Sequence, residues 1–117
     1  MKHPGKIAPE VFKNIVKPAA TLKYPFVKPD IPATYRGKIV FDAKSCIGCK
    51  LCMRDCPSKA IAIEKVGEEK VFRAHFDLDR CIYCAQCVDS CPRNSLATTT
   101  QFELANYSRE KLKEIQG

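Results

Sequence analysis

The chain of 117 residues has no tryptophan, two histidines, two methionines and five glycines. These shortages close several routes. Neither His3 nor His75 has a serine or a spare cysteine placed to make a nucleophile pair, and His75 reads as a strand residue. The carboxylates are scattered among lysines rather than set in a facing pair. The chain therefore does not read as an enzyme by itself. Long apolar runs are also missing, and none approaches the roughly 20 residues that a membrane span requires. The opening MKHPGKIAPE has no apolar core of a secretory leader, so nothing in it argues for export. Cysteine is absent from all but two short stretches.

Those stretches hold all eight cysteines in two copies of Cys-x2-Cys-x2-Cys-x3-Cys-Pro. The first is Cys46, Cys49, Cys52, Cys56-Pro57, and the second is Cys81, Cys84, Cys87, Cys91-Pro92. A disulfide framework would need an oxidising compartment, for which the start of the chain gives no argument. Structural zinc uses two Cys-x2-Cys pairs across a longer loop and gains nothing from a third cysteine three residues on, repeated with a trailing proline. The spacing is instead the bacterial-ferredoxin run, in which three thiolates hold three corners of a [4Fe–4S] cubane and the fourth reaches the other cluster. Cys46, Cys49, Cys52 and Cys91 are the expected ligands of one cluster, and Cys81, Cys84, Cys87 and Cys56 those of a second. Two cubanes in one small chain point to electron transfer. They also act as cross-links for a core too small to hold on apolar burial alone, so the apo-chain is expected to be largely unfolded.

The repeat extends past the cysteines at an offset of 35 residues. Ile39-Val40-Phe41-Asp42 precedes the first run as Ala74-His75-Phe76-Asp77 precedes the second, and Ala60-Ile61-Ala62-Ile63 follows it as Ser95-Leu96-Ala97-Thr98 follows the other. Each half reads strand, cluster loop, short helix ended near proline, strand. The expected fold is α+β: a pseudo-twofold, bacterial-type two-[4Fe–4S] ferredoxin-like domain, with two hairpins against two short helices. The turn signal between the halves is Lys65-Val66-Gly67-Glu68-Glu69-Lys70, within a hairpin over 64–72.

The two loops are not identical. Gly48 suits a tight approach to the cluster, whereas its counterpart Tyr83 is a bulky ring that shields the second cluster, meets a partner or simply packs. Lys50 and Arg54 align with Ala85 and Asp89, which makes the first cluster's surroundings the more positive. Positive charge favours the reduced cluster, so the first is expected to accept an electron more easily.

Basic character concentrates in the first 36 residues, where Lys2, Lys6, Lys13, Lys17, Lys23, Lys28 and Arg36 face only Glu10 and Asp30. Six of the eight prolines lie there too, so the segment should run extended over a surface. Its one helical candidate is Pro9 to Lys17, with apolar i,i+4 pairs Val11/Ile15 and Phe12/Val16 flanked by lysines. Such a helix fits a membrane surface, a groove on a partner subunit, or its own domain. At the other end Ser108 is placed to cap a short helix carrying Lys111, Leu112 and Ile115. Three segments follow: a basic arm over 1–36, a ferredoxin domain over 37–98 and a tail over 99–117. Each oxidised cubane with its thiolates carries roughly −2, which lowers the formal charge of +7 to about +3. With that charge, and no recognised nucleic-acid-binding motif in the chain, nucleic acid is not an expected partner.

Four stretches together carry a family resemblance: Thr34-Tyr35-Arg36-Gly37-Lys38-Ile39, Cys46-Ile47-Gly48-Cys49, Cys81-Ile82-Tyr83-Cys84 and Phe102-Glu103-Leu104-Ala105. The chain resembles the two-cluster ferredoxin-like subunit of respiratory complex I. It is similar also to the homologous subunit of energy-converting membrane-bound [NiFe] hydrogenases, formate hydrogenlyases and related archaeal complexes. The resemblance implies a non-catalytic electron relay at the cytoplasmic face of the cell membrane, peripheral rather than spanning. Its implied partners are iron–sulfur and hydrogenase-like or quinone-reductase-like subunits, with membrane subunits met through the arm. The simple arm and many lysines favour the hydrogenase-type or archaeal branch. The alternatives are a subunit of a soluble oxidoreductase, such as a 2-oxoacid:ferredoxin enzyme, and a free ferredoxin.

Overall fold

The structure, a computed structural model, describes residues 5–67 and 70–117. His3, Lys2 and Pro4 of the arm, and Glu68 and Glu69 of the expected turn, lie outside the described residues. The chain divides into two compact units, Met1–Asp30 and Ile31–Gly117. Residues 31–36 of the expected arm thus group with the cluster-bearing unit.

In the first unit, α1 spans Ala8–Ile15. Pro9 sits in its first turn, where a missing N–H costs nothing, and Glu10 lies at the positive end of the helix dipole. Lys17 Nζ meets Asn14 Oδ1 at 2.8 Å just past the end. No residue of α1 is buried, and Val11, Phe12 and Ile15 are each at least half exposed.

The second unit begins with β1 (Ile39–Phe41), α2 (Leu51–Arg54) and β2 (Ile61–Val66). It repeats the order in β3 (Val71–Asp77), α3 (Gln86–Asp89) and β4 (Leu96–Thr98). Each half is strand, loop, one helical turn and strand, as the internal repeat implies. The sheets, however, are not two hairpins. β2 and β3 form one, pairing Ile61 with Phe76 and Ile63 with Ala74. β1 pairs antiparallel with β4, the far end of the repeat, setting Ile39 against Thr98 and Phe41 against Leu96. The physical reason is closure: joining first strand to last lets each half cover the other's apolar face. Gly37 stands at the mouth of this pair, where a Cβ would run into the backbone carbonyls of Thr99 and Gln101. Ile39, Ile61, Ile63, Phe76 and Leu96 form the core, together with Cys52 and Cys87.

The C-terminal helix expected around Ser108 is corrected by the structure. Ser108 makes no capping bond, Arg109–Leu112 form a single 3-10 turn, and Lys113–Gln116 form a strand, β5, on the free edge of β3. Pairing satisfies the open backbone groups of β3, which a helix at this place would leave unpaired. Leu78 N–H donates to Leu112 C=O at 2.8 Å, and Arg109 pairs with Asp79. Gln116 then ties the two sheets together. Its Oε1 accepts from Phe41 N–H at 2.8 Å and its Nε2 donates to Ile39 C=O at 3.2 Å, so one side-chain amide acts as a strand on the edge of β1. Lys38 and Glu114 reinforce the join at 2.6 Å.

Candidate metal centres

The cysteine loops bend where side chains rarely allow it. Gly48, Lys50 and Lys59 have φ of 70°, 58° and 51°, and their counterparts Tyr83, Ala85 and Asn94 have 52°, 64° and 51°. Left-handed residues at these places turn successive N–H groups inward, forming concavities suited to negative charge. Sulfur is what they meet. Gly48 and Tyr83 N–H donate to Cys46 and Cys81 Sγ, each at 3.4 Å. Ala60 and Ser95 N–H donate to Cys56 and Cys91 Sγ, each at 3.3 Å. Cys52 and Cys87 are carried on α2 and α3 and are buried.

The loops bring the cysteines together in crossed sets. A cavity is lined by Cys46, Cys49 and Cys52 from the first run and by Cys91 from the second. Burial pushes the Cys52 thiol up to about 11, and Cys49, Cys46 and Cys91 lie near enough for their charge to add to this. Cys81 is raised by burial, with Cys56 and Cys84 beside it. Burial pushes Cys87 up to about 12, and its neighbours include Cys81, Cys56 and Cys84, with Cys52 behind. Burial alone would also raise Cys56 and Cys91. There, hydrogen bonds outweigh it and hold both thiols below the ordinary value: the Ser58 hydroxyl leads for Cys56, and the Ser95 N–H for Cys91.

This donor set fits an iron–sulfur cubane. None of the eight cysteines is in a disulfide. Among the described residues, no three or more His, Cys, Asp or Glu converge as a single bound ion requires. The first set instead surrounds a void. Ser95 lines that void with a buried hydroxyl that makes no well-aligned hydrogen bond and lies beside the Cys91 sulfur, free to donate to a sulfur in the cavity. Bound iron would also relieve Cys52 and Cys87, whose thiolates are costly without it.

Around the sets, several neighbours differ from the expectation. Lys50 does line the first cavity, but Arg54 is turned outward beside Asp55 at 3.3 Å, and Arg93 takes its place at the cavity wall. The second loop has a cation of its own, because Arg36 Nη1 donates to Cys84 C=O at 3.3 Å. Tyr83 lines a second, open cavity with Tyr35, Arg36 and Phe102, so the aromatic-Arg-Gly entry and the Phe-Glu-Leu-Ala exit meet beside Cys84. Gly48 admits the Phe72 ring from β3, which stands where a Cβ would be. Sequence reasoning missed Phe72, Arg36 and Arg93 at these sites. The contrast of Gly48 with Tyr83 was the one signal available, since a missing side chain in one half invites a ring from elsewhere. His75 is the strand residue expected, on β3, with Nε2 3.0 Å from the Glu64 carboxylate.

Comparison with known proteins agrees with this geometry. Residues 45–95 match the 4Fe-4S dicluster domain. NADH-quinone oxidoreductase subunit I 1 of Nitrosococcus oceani is 42% identical over 113 residues, covering 87% of this chain and 62% of that protein. NADH-quinone oxidoreductase subunit I of Carboxydothermus hydrogenoformans is 42% identical over 106 residues, covering 87% of this chain and 76% of that one. Among solved structures, a chain of the membrane-bound sulfane sulfur reductase, an archaeal respiratory membrane complex, is similar with a TM-score of 0.68 and 32% identity, over 94% of this chain and 60% of its own. The chain thus spans under two thirds of the first relative and of the solved structure. Two cubane-spaced cysteine loops, folded as a pair and matched along most of the sequence, make this chain a member of the NADH-quinone oxidoreductase subunit I family, with two [4Fe–4S] clusters as its cofactor.

Proposed function

We propose that the protein is an electron relay subunit of a membrane-associated multisubunit oxidoreductase, with Cys46, Cys49, Cys52 and Cys91 holding its first cluster and Cys81, Cys84, Cys87 and Cys56 its second. The carrying observation is the cavity that gathers three cysteines of one run and the last of the other. Each cluster supplies a one-electron carrier when bound. The chain's own residues hold the sulfurs with paired backbone N–H donors, and the pseudo-twofold layout sets the two sites back to back across Cys52 and Cys87.

Partners follow from the relatives and from the arm. Other iron–sulfur subunits, hydrogenase-like or quinone-reductase-like, give and take the electron. The exposed apolar stripe of α1, with basic residues flanking it, docks on membrane subunits at the cytoplasmic face. Among the described residues no helix is long and apolar enough to cross a membrane, which fits a peripheral attachment. Capture of the native chain from detergent-solubilised membranes under anaerobic conditions, with mass spectrometry of what accompanies it, tests the reading. Recovery with large redox subunits and membrane subunits is expected. Recovery alone, or with a soluble oxoacid oxidoreductase, would overturn it.

A further inference from the structure

Ser95 follows Cys91 by four residues, and Ala60 stands at the same place after Cys56. Both are buried, 3% and 4% exposed. Both send a backbone N–H to the preceding cysteine sulfur at 3.3 Å. The two positions therefore match in backbone, burial and sulfur contact, and differ by one oxygen. That oxygen belongs to a residue lining the cavity of Cys46, Cys49, Cys52 and Cys91, and it makes no well-aligned hydrogen bond within the chain. Its nearest sulfur contact is Cys91, within hydrogen-bonding reach of the hydroxyl.

We propose that Ser95 is a tuning donor: its hydroxyl donates to a sulfur of the first cluster and raises that cluster's reduction potential above the value an alanine at this place would give. The second cluster, with Ala60 there, lacks a hydroxyl at this place, and the hydroxyl beside its own Cys56 sulfur comes from Ser58, two residues on, at 3.5 Å. The inference rests on the assignment of the first cluster to its four cysteines. Its physical basis is charge. The reduced cluster is the more negative form and shares that charge with its sulfurs, so a donor aimed at sulfur stabilises it more than the oxidised form. Because Ser95 is buried, the single bond counts for more than it would on a surface.

The test is an anaerobic redox titration of the full chain, both clusters in place, followed by EPR, for wild type, Ser95→Ala and Ala60→Ser. Ser95→Ala is expected to lower the reduced-to-oxidised ratio of the first cluster about tenfold at a fixed potential, the size of one hydrogen bond to a charged group, and to leave the second unmoved. Ala60→Ser should shift the second cluster to higher potential. Pulsed EPR in deuterated water should also lose one exchangeable proton coupling at the first cluster in Ser95→Ala. If the first cluster's potential stays put, or both clusters move together, the proposal is overturned. Ser95→Ala decides alone if Ala60→Ser loses iron, because an alanine already fits the equivalent place. Iron and acid-labile sulfide analysis of the wild type separates the two failures: fewer than two clusters would count against the site assignment, two clusters with no shift against Ser95.

Discussion

In the proposed assignment Cys91 and Cys56 are the residues on which the whole site turns, because each would leave its own run to join the other. The spacing carries this expectation, since in the ferredoxin run the cysteine followed by proline serves the other cluster. What the spacing could not carry is the company the sulfurs keep. Arg36 lies 48 residues from Cys84, whose carbonyl it holds, and Phe72 reaches Gly48 from a different strand. Contacts of that range are set by how the halves pack, and no local pattern encodes them. The crossing has a direct consequence under mutation. In Cys91→Ser the first cluster should lose a corner and degrade toward a three-iron form while the second stays intact, and Cys56→Ser should do the reverse. EPR spectra of the two variants, each keeping the signal the other loses, would establish it; loss of the near signal in its own run would refute it.

At the level of elements, the repeat predicted β1, α2 and β2 and then β3, α3 and β4 because period-two apolar strands bracket each cysteine run. It did not predict β5. Ser108 followed by Lys111, Leu112 and Ile115 satisfies a helical pattern about as well as a strand, and an open edge on β3 decides between them. That edge exists only once β2 and β3 have paired, so the deciding partner is tertiary. The same applies to Gln116, a polar residue near the end of the chain with no sequence mark of importance. Its amide completes the edge of β1 and joins it to the larger sheet. Gln116→Ala should leave Phe41 N–H and Ile39 C=O, both part-buried, without this partner, and cost about 1–3 kcal/mol of stability. Anaerobic thermal melts of the cluster-loaded chain would read this as a lowered midpoint, with cluster content unchanged at room temperature. Gln116→Glu, which keeps the acceptor and loses the donor, should fall between.

The second unit as a whole should be held by its clusters as well as by apolar burial. Two of the nine buried residues at its centre, Cys52 and Cys87, are cluster ligands in the proposed assignment. Taking the iron away leaves their thiols facing a void and removes the links that join one half to the other. Binding free energy of this kind is folding free energy. Prolonged treatment with an iron chelator under reducing, anaerobic conditions should therefore collapse the strand signal in far-UV circular dichroism and speed amide exchange at Ile63, Ala74 and Phe76. Reconstitution with iron and sulfide should restore both. Retention of native exchange rates in the iron-free chain would mean that the apolar core suffices without the clusters.

The crossed cavity also bears on how such a chain could be made and inherited. During synthesis, the first three cysteines emerge some forty residues before the fourth wall of their cavity, so neither cubane can be seated until the second run has been added. A single half on its own closes no cavity. Two copies of one half, each lending its last cysteine to the other, would close both, which makes a self-pairing half-length protein a workable forerunner and the β2–β3 hairpin the place where two genes' worth of chain became one.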